Sequence, residues 1–375
     1  MVGVVFVPKE GFCMHDVIIV GSGPAGGTLA SLLEGLDVLV LEKEKNAVLK
    51  DSGLVSSHFT KFVEDESLIE AEVTRMEAVS PSGKTFWLQS NEPFAYILKR
   101  KRFSYYLRIE AKKNADMKYE RARGFARTSG GVAVETSKGM HEAKMVIGCD
   151  GTLSDIRKSM GIEKPPMVPG IFSRTKNRLQ ADEIKVFLNK FYSPDFFSWI
   201  IPQVNEYGLM TSVRPRENFE YFKKSIGAPD GELHSYMIPM GTTKSYSERA
   251  LLVGEACGQT KPLTGGGIIF GMRAAHMAAS VVKQAIEKND FSSGFLSRYE
   301  KSWKSEVSWE IKKQLFLRKA YRKMSNRDID GLFRSFGSDI ESVNTFDYDK
   351  ITRSWKNLPK LKAVNFILKN AHLFI

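Results

Sequence analysis

Gly21, Gly23 and Gly26 stand at G-x-G-x-x-G spacing inside "VGSGPAG". Between a strand and a helix, that spacing suits a dinucleotide pyrophosphate. The first glycine allows the tight turn, the second lets phosphate approach the backbone, and the third lets helix and strand pack closely. Pro24 and Ala25 open the helix, whose N-terminal amides and dipole favour negative charge. Glu42 ends the next apolar run, about where an acidic side chain meets a ribose diol, and Lys43 follows it. NAD and FAD share this first motif.

Two later clusters choose between them. "GCDGTLSDIRKSMG" has the form D-G-x-x-S-x-x-R, with Asp150, Gly151, Ser154 and Arg157. "VGEACGQTKPLTGGG" carries Gly254 and Glu255, then Pro262, then Gly265, Gly266 and Gly267 ahead of a helix-like apolar stretch. An acidic residue after a strand can bond ribityl or ribose hydroxyls. Amides exposed at a glycine-rich helix start can stabilise negative charge on the pyrimidine edge of a reduced flavin. An ordinary NAD dehydrogenase requires no second glycine cluster, so both clusters are expected to cradle one FAD.

The elements that must position these residues are legible. "DVIIV", "PAGGTLASLLEGL" and "DVLVLEK" form a strand–helix–strand unit. "VTRMEAVSPSGKTFWLQS" alternates about a Ser82-Gly83 turn as a hairpin does. From Pro165 to Pro239 aromatic and β-branched runs predict strands of a second sheet, and after Phe295 the pattern is helical and basic. The predicted fold class is α/β. A Rossmann-like FAD-binding domain would comprise about 14–75, 100–163 and 245–290. An inserted, mainly antiparallel β-sheet substrate domain would comprise 76–99 and 164–244, followed by a C-terminal helical region, 291–375.

The bulk numbers agree with a large globular chain: 375 residues, 42% hydrophobic, net charge +12. The positive balance favours an anionic partner or a solvated basic surface. No zinc-finger spacing or aromatic RNA-binding signature points to nucleic acid. Cys13, Cys149 and Cys257 are widely separated and the histidines form no paired motif, so no metal site is expected and a reducing cytoplasm is the default.

With these three motifs in this order, the chain resembles the flavoprotein superfamily of aromatic hydroxylases and geranylgeranyl reductases, and most of all the archaeal geranylgeranyl reductase family. "GQTKPLTGGGIIFGM" is very close to that family's flavin loop. "PDFFSWIIP", Pro194 to Pro202, is similar to its P-x-x-[YF]-x-W-x-x-P substrate motif, and "RKRFSYYL" looks like its R-x-x-F-D-x-x-L helix start. The resemblance, spanning roughly Asp16 to Glu306, adds Arg100 to the cofactor-binding set and implies Phe197, Trp199 and Pro202 as substrate-binding residues. It departs at Glu255, where Asp is usual, at Ser104, and at Asp51, where many members have cysteine.

The resemblance implies hydrogenation of isolated C=C bonds in geranylgeranyl chains, with an isoprenoid lipid or prenyl diphosphate as substrate and NADPH or reduced ferredoxin as electron donor. An apolar channel is then required, and Phe191, Tyr192, Phe196, Phe197, Trp199 and Ile201 could line it. Phe197 and Trp199 are two apart, which puts both rings on one face of a strand. The proton donor stays open between Asp51, Cys257 and a bound water; Cys257 also reads as a small packing residue. A monooxygenase or halogenase on the same fold is the first rival, and a non-catalytic FAD- and lipid-binding protein the second. "IKKQLFLRKAYRKMSNR" and "LKAVNFILKNAHLFI" are amphipathic and basic, so peripheral membrane contact competes with helices packed on the body.

Overall fold

β1 (His15–Val20) ends in four buried residues, because both its faces are covered. Val17 and Ile19 join one core cluster and Ile18 and Val20 another, as the period-two alternation of a strand requires. The first cluster is roofed by helices. The second is closed by an antiparallel ribbon. The computed structural model from which this is drawn describes residues 14–47, 51–342 and 348–349. Cys13 and the segment from Leu361 onward lie outside them.

After β1 come α1 (Pro24–Ser31), β2 (Val38–Glu42), β3 (Leu54–Ser56), β4 (Ile69–Val73), β5 (Arg75–Val79), β6 (Thr85–Gln89), β7 (Ala95–Leu98) and α2 (Arg100–Ala111). The chain continues through β8 (Asp116–Tyr119), β9 (Ala122–Arg127), β10 (Val132–Thr136), β11 (Met140–Gly148), α3 (Asp155–Ser159), β12 (Met167–Arg174), β13 (Lys185–Phe187), β14 (Ser198–Ile201) and β15 (Glu206–Met210). It ends with α4 (Pro215–Ser225), β16 (Glu232–Pro239), β17 (Tyr246–Ser247), β18 (Ala250–Leu252), α5 (Ile268–Lys288), α6 (Ser293–Lys323) and α7 (Asn326–Glu341).

The first sheet runs β17-β18-β11-β1-β2-β8, with β9 and β10 attached through β11. β1 is parallel to both β2 and β11, so the C-terminal ends of the central strands open on one edge, where ligands bind in such sheets. The second sheet runs β16-β12-β15-β14-β13-β5-β6 and is antiparallel except where β13 meets β5. β7 pairs with β3 and β4 in a small third sheet rather than with the second.

Pro215–Ser225 departs from the strands expected between Pro165 and Pro239. Proline occupies its first turn, where a missing N–H costs nothing. Phe219 and Phe222, three apart, bury one face against the outer side of the second sheet.

Candidate cofactor and substrate site

The three glycines after β1 have three different environments. A Cβ on Gly21, whose φ is +99°, would overlap the Cys149 carbonyl. One on Gly26 would overlap the Gly21 carbonyl. One on Gly23 would meet nothing within 4 Å. The outer two therefore hold backbone against backbone, while the middle one faces open space at the start of α1. That helix start has no side-chain cap and no acidic residue in its first turn, leaving its amides and positive dipole end for an anion. Glu42 Oε2 accepts from the Ser22 N–H at 2.9 Å and hydroxyl at 2.8 Å, so this carboxylate also braces the glycine loop. Burial works against its charge, but bonds from Glu44 and Ser22 outweigh burial and lower its pKa. Lys43 is exposed beside it.

The two later motifs meet at the same edge. Asp150 Oδ2 caps α3, accepting from the Asp155 and Ile156 amides at 2.8 and 3.2 Å, and Gly151 follows with φ +78°. Buried Arg157 donates to the Ala256 carbonyl at 2.7 Å. Thr152 Oγ1 lies 3.0 Å from Glu255 Oε2. Gly254 takes φ +74° and its N–H donates to Gln259 Oε1 at 2.6 Å. Beyond Pro262 the turn closes on itself: the Gly265 N–H donates to the Lys261 carbonyl at 2.8 Å, and Lys261 N–H to the Gly266 carbonyl at 3.0 Å. The Gly265 amide is thus occupied rather than exposed as expected. Gly265 serves by its φ of +72°, and Gly267 is the uncapped N-cap of α5.

Several buried polar atoms in this region have no hydrogen-bond partner among the described residues, and they include one acceptor and one donor, Asp150 Oδ1 and Arg100 Nη1. Leaving such groups unsatisfied costs about 1–3 kcal/mol each. Burial accordingly raises the Asp150 pKa, its amide and Ser154 bonds notwithstanding. A ligand bearing both hydroxyls and phosphates, offering donors and acceptors, fits this pair. The residues present therefore suit FAD.

Of the two proton-donor candidates, Asp51 is engaged in an ion pair. Arg100 Nη2 donates to its Oδ2 at 2.6 Å and Nε lies 2.6 Å from Oδ1. Cys257 is fully buried in the second core cluster, its Sγ donating to the Leu252 carbonyl at 3.2 Å, and burial pushes its pKa far up. That environment is one of packing.

The second sheet presents an inward face whose register groups side chains in rows. Tyr236, Gly170 and Met210 lie across from one another, then His234, Phe172, Gly208 and Trp199, then Arg174, Glu206 and Ile201. A Cβ on Gly265 would lie 3.1 Å from Met210 Sδ and 3.3 Å from Ile238 Cδ1, so this face abuts the second glycine turn. β14 begins at Ser198, leaving Phe197 just before it, yet the Phe197 and Trp199 rings still meet at 5.9 Å. Phe196, Trp199 and Ile201 join the inward cluster, with Phe197 packed against it. Pro202 opens a short 3-10 turn that stops the strand. Phe191 and Tyr192 fall elsewhere. Phe191 is 69% exposed, and Tyr192 packs on Phe222 of α4, on the outer face.

Sequence reasoning missed Glu206. It is completely buried, accepts from Trp199 Nε1 at 3.0 Å and from Arg174 Nε at 3.0 Å, and burial raises its pKa to about 6 against those two partners. A glutamate starting a strand looks like a solvent-side residue; only the cross-strand register reveals it. Lys261 was also passed over. It forms a buried ion pair with Asp349 at 2.9 Å, and the same carboxylate accepts from Ser56 and meets His58 Nδ1.

A family model described as FAD binding domain matches residues 14–228. The digeranylgeranylglycerophospholipid reductase 2 of Methanothermobacter thermautotrophicus is 28% identical, over 92% of this chain and 98% of the relative. The digeranylgeranylglycerophospholipid reductase of Methanocaldococcus jannaschii is 26% identical, over 88% and 93%. A geranylgeranyl bacteriochlorophyll reductase-like protein from Thermoplasma acidophilum superposes with a TM-score of 0.84 at 22% identity, covering 97% of this chain and all of that one; at that identity the likeness is one of fold. The model spans more than half the chain and takes in the loop whose middle glycine faces open space, and on that ground the chain belongs to the FAD-binding-domain family, with FAD as its cofactor.

Proposed function

We propose that the protein is an FAD-dependent reductase that hydrogenates C=C bonds of geranylgeranyl chains in archaeal ether-lipid synthesis. The observation that carries this reading is the inward face of the second sheet. Phe172, Trp199, Met210 and Ile238 form an apolar surface beside the Gly265 turn, which suits a hydrocarbon better than a polar aromatic substrate. The names of the relatives support the same substrate class.

Bound and reduced by NADPH or ferredoxin, FAD supplies hydride. The chain's own residues have the remaining tasks. Gly21, Gly23 and Gly26, with Glu42, Asp150 and Arg100, hold the dinucleotide. Phe197 and Trp199 wall the substrate, since a prenyl chain has no hydrogen-bonding group by which to be gripped. Burial excludes water and oxygen from the reacting carbons. The second carbon of each alkene needs a proton; a water held beside the ion-paired Asp51 carboxylate is the favoured source, because Asp51 has given up its own proton to pair with Arg100 and Cys257 holds its proton too tightly.

The discontinuous domain division above is part of this reading, as is peripheral contact with a membrane through the C-terminal helices. No described helix is long and apolar enough to cross a bilayer. α6 does present Trp309, 69% exposed, with Lys312, Lys319 and Lys323 exposed along the same side, a pattern suited to an anionic interface. Flotation with anionic vesicles at low salt tests the contact, and its absence there would remove it. The enzyme itself is tested by anaerobic incubation with geranylgeranyl substrates and dithionite, read by mass spectrometry. Products heavier by two mass units per reduced bond are expected. Oxygen or halogen incorporation on supplying air or halide would replace this reading with the monooxygenase or halogenase one.

A further inference from the structure

Among the ionisable groups on the inward face, Glu206 is the most enclosed, and its contacts reach furthest. Its Oε1 accepts from the Trp199 indole at 3.0 Å and its Oε2 from Arg174 Nε at 3.0 Å, with Arg174 Nη2 also 3.0 Å from Oε2 in the ion pair. Arg174 Nη2 also lies within reach of the Ser52 carbonyl, at 3.3 Å. Ser52 is the neighbour of Asp51, which Arg100 clasps from α2. One carboxylate thus ties three strands of the second sheet to the loop that carries the Asp51–Arg100 pair. The indole itself leans across β15: a Cβ at Gly208 would sit 2.6 Å from its Cζ2. Its packing neighbours in the inward cluster are apolar.

We propose that Glu206 is a positioning residue of the substrate pocket, fixing the plane of Trp199 directly and the level of the 51–53 loop through Arg174. The inference rests on the prenyl-reductase reading. A hydrocarbon chain slides in its channel at low cost, since each further methylene buried changes affinity by only about fourfold. Which double bond stops over the reacting atoms is then set by rigid walls. A ring free to turn, or a loop free to rise, changes that register without removing cofactor contacts.

The test compares wild type with Glu206→Gln, Trp199→Phe and Arg174→Lys. Each is checked first for folding by circular dichroism and for FAD by its visible spectrum; Glu206→Gln and Trp199→Phe are expected to match wild type. Each is then given geranylgeranyl diphosphate anaerobically, and partly reduced products are fragmented to locate the added hydrogens. Glu206→Gln and Trp199→Phe are expected to scramble the order of reduction and lower kcat by about tenfold or more, with little change in KM. Arg174→Lys keeps the charge and is expected to fall between them and wild type. Combining Glu206→Gln with Trp199→Phe is expected to add little, since a carboxamide has one acceptor oxygen for the two donors, Trp199 Nε1 and Arg174 Nε, that Glu206 serves, and both changes disturb this one cluster.

A second measurement separates this inference from the reading beneath it. Geranylgeraniol is titrated into each oxidised protein and the flavin spectrum followed. If wild type reduces prenyl chains while Glu206→Gln gives the same product order and kcat, the positioning role is overturned and the reductase reading stands. If wild type reduces no prenyl chain, yet geranylgeraniol perturbs the flavin and Glu206→Gln or Trp199→Phe alters that perturbation, the reductase reading fails and the positioning role stands. Should Glu206→Gln fail to fold, Trp199→Phe decides alone: a product order identical to wild type overturns the role.

Discussion

A carboxyl group held at a pKa of about 6, above its usual 4.5, leaves a mark on stability with a definite sign. The cause is first the complete burial of Glu206, which the Arg174 charge and the Trp199 bond only partly offset. The folded chain binds this proton more tightly than the unfolded chain does. The contribution is therefore fully present below pH 4.5 and is lost as pH rises through about 6. At about 1.4 kcal/mol per pH unit, it amounts to about 2 kcal/mol. Arg174 on β12, Trp199 on β14, His234 and Tyr236 on β16 and Asp51 across the gap face this group, and all of them persist in Glu206→Gln. So do the carboxylates stabilised by charge, such as Asp349, which lose stability in the opposite direction, toward acid. A difference measurement cancels them. Urea unfolding of wild type and Glu206→Gln, followed between pH 4.5 and 7, is expected to show wild type losing about 2 kcal/mol relative to the variant, most of it between pH 4.5 and 6. A difference that stays flat across that range would refute the argument, because it would mean that the carboxyl is not desolvated in solution.

Gly23→Val and Gly26→Val are expected to fail in different ways. The first should fold and lose FAD, because its side chain enters open space at the start of α1; the second should not fold, because its Cβ overlaps the Gly21 carbonyl, and flavin absorbance with circular dichroism separates the two. Trp199→Ala is expected to keep FAD and to lose at least tenfold in alkene reduction by misplacing the substrate; full activity in anaerobic turnover would make the ring structural. Lys261→Met leaves the buried Asp349 carboxylate without its ammonium partner and should cost about 3–5 kcal/mol. Adding Asp349→Asn should recover much of that loss in thermal or urea unfolding.

The cofactor end was legible in the sequence because its requirements are local. Gly21, Gly23 and Gly26 sit in one turn, and Asp150 and Gly151 directly follow a strand, so spacing alone reports them. The hairpin at Gly83 was legible for the same reason: β5 and β6 pair across it, and Gly83 takes φ +81°. The proposed substrate end depends on strands far apart in sequence. Trp199 meets Glu206 only because β14 and β15 are antiparallel neighbours, and Glu206 meets Arg174 only because β15 lies beside β12. Tyr192 misled for a related reason. An aromatic near the motif reads as channel lining, but the turn between β13 and β14 carries it to the outer face, against Phe222. α4 was hidden by its own composition, since "NFEYF" suits a strand as readily as a helix until Pro215 is seen to begin it.

The glycines of the second sheet complete the argument about shape. Sheets that pack face to face stand about 10 Å apart because upright side chains fill the space between them. On this inward face two positions have no side chain at all. A Cβ at Gly208 would lie 2.6 Å from the Trp199 ring, and one at Gly170 would lie 3.0 Å from the Tyr236 ring. Each ring therefore leans sideways over a bare stretch of backbone instead of standing toward the cofactor loop. The absence of a side chain that leaves open space at Gly23 here lowers the relief of the sheet's inward face. In the reductase reading proposed above, such a wall, aromatic and bonded at one end to Glu206, is what sets the register of the hydrocarbon. A side chain at Gly208 would push the indole away from Glu206, so in this sheet the tilt of the ring and the buried carboxylate it bonds are not separable.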